Sequence, residues 1–323
     1  MPFCPSFRES GFTIAALPDL QNYTRDAIHV PILQGSIDWL VEHRDDLDLQ
    51  LLVQVGDLTN HNLPEEWVRV KEVFDTLPSS LPYALTVGNH DLGRRRVGDS
   101  RFTRLHHYFQ PRDGFTRFTY PEDRFENSAS FLHLGSQEWL ILALEFGPRI
   151  TVIEWAKEIL ESHPHHPTLL ITHEFIDSYS FVETGLSQRT TPQTENSPYE
   201  YPLASDPDGV TCGEELWEHL VLPYAQVRLV VNGHYRPYER EGHSIIPADG
   251  VASHSRTDLR TDGSRVHQHL INAQWAPRGG DGWLKLFRFS EEGDLEKTLL
   301  LSPILEECRE EPMAFALHEE EGG

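Results

Sequence analysis

The sequence predicts an α/β protein whose sheet carries its polar chemistry along one edge. Three short apolar runs, Phe12 to Leu17, Leu49 to Val55 and Tyr83 to Val87, alternate with segments of helical spacing, the rhythm of strand-helix-strand units. Each run ends at once in polar residues: Asp19 after the first, Asp57 after the second, and Asn89, His90 and Asp91 after the third. Open α/β sheets bind ligands beyond the carboxyl ends of their strands.

Taken in order, Pro18 stops the first strand, and Ile32, Leu33, Ile37, Leu40 and Val41 then mark a helix over 31–43. After the second strand, Pro64 suits a helix first turn, with Glu65 and Glu66 favourable to the dipole and Trp67, Val70, Phe74 and Leu77 on one face. Residues 93–127 mix Arg94, Arg95, Arg96, Arg101 and Arg104 with aromatics at no clean period and read as a partly helical insertion.

Ser128 to Leu134 and Trp139 to Glu145 read as a hairpin, followed by a helix marked by Val152, Trp155 and Ile159. Thr168 to Thr172 is a short strand tipped by His173 and Glu174. The polar, Pro-containing stretch 174–212 reads as a lid-like loop. Leu216, Trp217 and Leu220 mark a helix, and Val227 to Val231 is a strand that runs into Asn232, Gly233, His234, Tyr235 and Arg236. Antiparallel strands are expected near Ile245 and at Leu270 to Ala273, Trp283 to Phe289 and Lys297 to Leu301, ending one domain over 1–305. The acidic tail 306–323 is expected to fray.

Lys and Arg number 27 against 51 Asp and Glu, a net charge of −24, which disfavours extended nucleic acid and anionic membrane as partners. A small phosphorylated substrate remains compatible, because a bound cation reverses the local field. No run approaches the ~18 apolar residues of a membrane span, and the N-terminus lacks a signal-like apolar core. Cys4, Cys212 and Cys308 lie far apart without metal spacing. Reduced thiols and a cytoplasmic location are the expectation; oligomeric state leaves no signal in the sequence.

The strand tips together offer Asp19, Gln21, Asp57, Asn89, His90, His173 and His234. Oxygen and imidazole ligands without thiolates suit divalent Mn, Mg, Fe or Zn. Two such ions need a bridging carboxylate, and Asp57 at the tip of a central strand is the natural bridge. His163, His165 and His166 are interrupted by Pro164 and do not read as a metal cluster. His267 and His269 read as one face of a strand, with Asn272 and Gln274 beyond them as candidates to line the pocket.

The tips stand in order as Pro18-Asp19-Leu20-Gln21, Gly56-Asp57, Gly88-Asn89-His90-Asp91, Thr172-His173 and Gly233-His234-Tyr235-Arg236. They resemble the motifs of the calcineurin-like metallophosphoesterase family. The stretch GGDGWLKLFRFS, Gly279 to Ser290, is similar to a branch carrying Gln in the first motif.

The resemblance implies a four-layer α/β/β/α sandwich of two mixed sheets flanked by helices, holding one or two divalent ions. Asp57, Asn89, His173 and His234 match the ligands of one metal. Asp19, Gln21 and Asp57 match the other, where Gln21 and Arg236 stand in place of histidines. A Gln carbonyl can ligate; a guanidinium has no acceptor. Three arrangements are open: a second metal held with waters while Arg236 turns to the substrate phosphate, Arg236 in place of that cation, or lost catalysis.

The resemblance further implies in-line attack on phosphorus by a metal-bound hydroxide. His90 then donates to a phosphoryl or leaving-group oxygen and Asp91 orients it. Arg94 and Arg95 are candidates to grip a substrate phosphate, and Asn60 and His61 to line the site; solvated loop and turn residues are the alternative. The expected function is a metal-dependent phosphoesterase acting on a small phosphomonoester or phosphodiester. The alternative is a metal-binding relative with little catalysis, serving as a sensor or interaction module.

Overall fold

Every central strand of this protein sends side chains into two cores. In the computed structural model, which describes residues 7, 10–111, 115–177, 186–234, 239–240, 243–244 and 249–316, β1 (Gly11–Leu17) puts Phe12, Ile14 and Ala16 into one apolar cluster and Ala15 and Leu17 into another. β2 (Leu49–Gln54) divides Leu51 and Val53 from Leu49 and Leu52 in the same way. With both faces buried, these strands read as continuous apolar runs rather than as alternation.

β3 (Tyr83–Leu85) follows β2 in parallel, as β2 follows β1. On the other side of β1 lie β13 (Leu284–Ser290), β14 (Leu295–Ser302) and β15 (Glu307–Glu311), all antiparallel to their neighbours, giving a six-stranded sheet of order β15-β14-β13-β1-β2-β3. The second sheet has seven strands: β4 (Thr116–Thr119), β5 (Ser128–Leu134), β6 (Gln137–Ala143), β7 (Thr168–Ile171), β8 (Val227–Asn232), β11 (Ala252–Leu259) and β12 (Arg265–Asn272). Within it β6, β7, β8 and β12 are parallel, and the flanking pairs are antiparallel. Two short strands, β9 (Glu239–Arg240) and β10 (His243–Ser244), pair with each other.

The sheets face one another across a shared apolar core. Phe12 stacks on Phe289 with ring centroids 4.9 Å apart, and Trp139 from the opposite sheet meets both edge-on at 5.8 and 5.5 Å. On the outer face of the first sheet pack α1 (Gln21–Arg25), α2 (Val30–Glu42) and α3 (Pro64–Phe74), through Tyr23, Leu33, Ile37, Trp67 and Val70. α5 (Ile150–Ser162) and α6 (Gly213–Leu216), the latter continuing into a π turn at Trp217–Val221, cover the second sheet. The short α4 (Leu105–Tyr108) lies in the 93–127 segment with β4. The architecture is the α/β/β/α sandwich of two mixed sheets that the motifs implied.

α3 begins as expected with Pro64 at its first position; Glu66 then folds back to accept the backbone N–H groups of His61 (2.8 Å) and Leu63 (3.3 Å). Three features differ from the expectation. β12 pairs antiparallel with β11 through the hairpin turn at 260–264, as expected, but its other neighbour, β8, runs parallel to it. Residues 307–311 do not fray but form β15, whose exposed, charged side chains suit a solvent-facing edge strand. β11 itself is polar along much of its length and carries no apolar run that would mark it as a strand. The short β10 ends next to Ile245, near which a strand is expected; Ile245 itself lies outside the described residues, as do residues 317–323 of the tail, Cys4 and part of the 174–212 loop. Among the described residues, no helix is long and apolar enough to cross a membrane.

Candidate metal centre

The parallel strands of both sheets end on one rim. Asp19 follows β1, Asp57 follows β2, Asn89 follows β3, His173 follows β7 and His234 follows β8. The two sheets meet there directly: the backbone N–H of His234 donates to Asp19 Oδ1 (3.2 Å), and His173 Nδ1–H donates to the Val55 carbonyl (2.7 Å). Buried Gln54 ties the tips of β1 and β2, its amide spanning the Pro18 and Gly56 carbonyls and the Gly56 N–H.

Glycine is required where the backbone crowds the acids. A Cβ on Gly88 would lie 2.1 Å from Asp57 Oδ1, and one on Gly233 would lie 2.2 Å from Asp19 Oδ1. Asp57 and His234 themselves sit in left-handed backbone at φ 56° and 55°, a conformation uncommon for residues with a side chain and frequent at functional turns.

At the centre, Asp19, Asp57 and His173 each present a ligand atom, all within 4.8 Å of one another and all buried. Asp57 Oδ1 accepts the His90 N–H (2.9 Å) and lies 3.3 Å from His173 Nε2. His173 Nε2 is also 3.0 Å from Asn89 Oδ1. Because Nδ1 is committed to Val55, Nε2 is the nitrogen turned to the ligands. Burial alone would lower the His173 imidazole, but Asp57 and Asp19 outweigh it and raise it to about 9. Burial would likewise raise Asp57, and the charges of His173 and His90 bring it down to about 2. Asp19 is pushed up to about 8 by burial, against the pull of His173 and with Asp57 adding to the rise.

The donor set fits a divalent cation. Asp19 Oδ2 and Gln21 Oε1 are buried without a hydrogen-bond partner, which costs on the order of 1–3 kcal/mol per group unless something else satisfies them. His234 donates Nε2–H to the Asn196 carbonyl (2.8 Å), leaving Nδ1 as its lone-pair nitrogen. Burial and the charge of His173 hold this imidazole down to about 3, so it stays neutral, as a ligand must. Gln21 enters differently from the expectation: its Nε2 donates to Asp57 Oδ2 (3.0 Å), so this amide also braces the central carboxylate.

Beside these residues opens a cleft of about 370 Å³ lined by Gln21, Asp57, Asn60, Asn89, His90 and His234, among others. His90 stands in it as expected, but Asp91 is not its orienter. The Asp91 carboxylate accepts the N–H groups of Leu58 (3.0 Å), Thr59 (2.8 Å) and Gly88 (3.0 Å) and the Thr59 hydroxyl (2.8 Å), joining the two loops that carry Asp57 and Asn89. Burial and the nearby Asp57 charge push it up to about 7 despite those bonds. The Asn60 carbonyl orients His90 instead, accepting Nδ1–H at 2.7 Å.

His61 turns to Glu66 (3.3 Å) at the start of α3 and does not line the cleft. The basic loop after the motif wraps around Asp99, which accepts the backbone N–H groups of Arg94, Arg95 and Arg96. Arg94 then lies over the Phe102 ring at 3.9 Å, beside a different cavity, and neither it nor Arg95 reaches the cleft. Arg236 lies outside the described residues. Gln274, just beyond β12, lines the cleft with Asn22, Arg25, Asn196, Tyr201 and Trp275. Sequence reasoning missed Asn196 and Tyr201 because they stand in a polar stretch without periodicity, far from any motif.

Residues 12–237 match the model of the calcineurin-like phosphoesterases. The chain is 23% identical over 301 residues to "Uncharacterized protein YvnB" of Bacillus subtilis (strain 168), covering 92% of this chain and 20% of that protein, so it spans about a fifth of that relative's length. Among solved structures it is similar to purple acid phosphatase PPD1 from yellow lupin, Lupinus luteus (TM-score 0.46, 13% identity, 95% of this chain and 58% of that one). It is also similar to TT1561 of Thermus thermophilus (TM-score 0.42, 11% identity, 90% of this chain and 98% of that one). With more than half of its length matched and the motif residues gathered on one rim, the chain belongs to the calcineurin-like phosphoesterase family.

Proposed function

We propose that this chain is a metal-dependent phosphoesterase hydrolysing a small phosphomonoester or phosphodiester. The observation that supports it is the buried Asp19, Asp57 and His173 group, with an unsatisfied Asp19 oxygen, beside an open cleft that Asp57 lines. Asp57, Asn89, His173 and His234 would hold one divalent ion, and Asp19 with Asp57 and the Gln21 carbonyl a second; Mn, Fe, Zn and Mg suit such donors. A divalent cation there supplies Lewis-acid chemistry, acidifying water and offsetting charge on a phosphoryl group.

The chain's own residues do the rest. His90, with its proton on Nδ1 fixed by Asn60, acts through Nε2 at the cleft, donating to a phosphoryl or leaving-group oxygen when protonated there. Gln21 holds the Asp57 carboxylate from the far side, and Asn22 braces the rim through the Gln274 carbonyl (2.7 Å). The net charge of −24 favours a small substrate over a polyanion. Among the described residues Cys212 and Cys308 form no disulfide, which supports a reducing, cytoplasmic setting. Assays with generic aryl phosphate mono- and diesters in Mn²⁺ test the proposal, and sustained inactivity with metal bound would sink it. That outcome would favour the second reading, a metal-binding relative with little catalysis, for which the Gln21 N–H turned onto Asp57 is the supporting observation.

A further inference from the structure

A carboxamide offers oxygen or N–H₂ in nearly the same shape, so an Asn serves as a cation ligand only if something decides which end faces inward. At Asn89 the inward end is Oδ1, 3.0 Å from His173 Nε2. The outward end, Nδ2, donates to the hydroxyl of Tyr201 at 3.2 Å. Tyr201 is no neighbour in sequence; it arrives on the loop that follows Ile176, between the 3₁₀ turns Pro198–Glu200 and Pro202–Ser205.

We infer that Tyr201 is a positioning residue that fixes Asn89 with its oxygen toward the metal centre, and that the 186–212 loop thereby sets metal affinity. Three sets of contacts hold the hydroxyl in place. The Tyr201 ring meets Phe146 edge-on at 5.2 Å, and Phe146 packs in turn on His173 (5.7 Å) and His234 (5.1 Å). Tyr201 also occupies space that Gly98 leaves open: a Cβ there would stand 2.6 Å from the Tyr201 ring, and the Gly98 carbonyl accepts the N–H of Leu203 (3.0 Å). Arg101, nearly buried, bonds the carbonyls of Phe146 (2.8 Å), Gly147 (2.7 Å) and Gly209 (3.0 Å), stapling the loop to the end of β6.

The same loop makes the corresponding choice at a second ligand. The Asn196 carbonyl takes Nε2–H of His234, which leaves Nδ1 as that ring's donor to a cation. One segment without metal ligands of its own thus selects the ligating atom of two. Residues that orient metal ligands typically carry a tenfold to hundredfold share of metal affinity when removed.

The inference rests on the metal-site reading above, and its test separates the two. Co²⁺ binding to the purified protein is followed by calorimetry and by its visible absorption for wild type, Tyr201→Phe and Tyr199→Phe. Tyr199 is the control, because its hydroxyl bonds Val210 and Glu215 in the same loop and touches no ligand. Expected are a loss of about tenfold or more in Co²⁺ affinity and an altered Co²⁺ spectrum for Tyr201→Phe, with Tyr199→Phe within about twofold of wild type. The metal-free melting temperature of Tyr201→Phe should match that of Tyr199→Phe. Wild-type affinity in Tyr201→Phe, or equal losses in both variants, would overturn the positioning role and leave the metal site standing. Failure of the wild type itself to bind Co²⁺ would overturn both readings.

Discussion

The Asp57 carboxylate and the His173 imidazole lie 3.3 Å apart, both buried, at the tips of strands from opposite sheets. That contact closes the rim of the sandwich. It also places the central anion of the site against a nitrogen whose other ring position is committed to the Val55 carbonyl. A buried pair of this kind contributes to function when a cation takes the place of the proton between its members.

His90→Ala should lower turnover by about 10²–10⁴-fold while leaving metal affinity within about threefold, since the hydrogen bond from His90 to Asp57 comes from its backbone N–H, which alanine keeps. Steady-state kinetics beside calorimetric metal titration checks both. Undiminished turnover would remove His90 from the chemistry.

Metal should stabilise the fold. At Mn²⁺ concentrations near a hundred times its dissociation constant, unfolding should cost about 2.7 kcal/mol more, a rise on the order of 5 °C in melting temperature. Asp19→Asn should lose most of that rise, because it removes the carboxylate whose Oδ2 has no protein partner. Differential scanning calorimetry with Mn²⁺ and with EDTA measures the difference.

The stability contributed by His267 should fall as pH drops below 6.5, against the opposite trend of the buried acids Asp19 and Asp91. His267 is held down to about 4 by burial and by Arg265. Above pH 6.5 it is neutral in both states and its contribution is complete. Between 6.5 and about 4 the unfolded chain takes up a proton that the folded chain refuses, so up to about 3 kcal/mol is lost in that window. His254, lowered to about 4 by burial and Lys285, adds in the same direction. Urea denaturation at pH 7 and pH 4.5 reads the net slope, from which His267→Gln should remove this contribution.

Phe12→Ala should destabilise the protein by about 3–5 kcal/mol, because it opens a cavity where Phe12 meets both Phe289 and Trp139. The cost should appear with and without metal. Urea midpoints at constant slope would show it.

The rim of the site is legible in the sequence because a parallel sheet buried on both faces forces a pattern onto the chain: an apolar run, then a polar tip. Asp19, Asp57, Asn89, His173 and His234 all stand out by that pattern. Roles are less legible than positions. Nothing in Asn89-His90-Asp91 reveals that the Asp91 oxygens are taken by the N–H groups of Leu58, Thr59 and Gly88, since the loop that brings the first two lies some thirty residues earlier. The arginines at 94–96 have the composition of a phosphate grip, and only the fold reveals Asp99 gathering their backbone. Gln274 stands out as a pocket candidate beyond a strand, and what only the pairing reveals is that this strand, β12, runs parallel to β8.

The most direct test of the account is the hydrolysis of an aryl phosphodiester by Mn²⁺-loaded wild type and Asp57→Asn, with metal content measured on the same samples. Wild type should show turnover that EDTA abolishes and Mn²⁺ restores, and Asp57→Asn should fold but lose both metal and activity. Equal activity in the two proteins, or metal retained in full by Asp57→Asn, would contradict it.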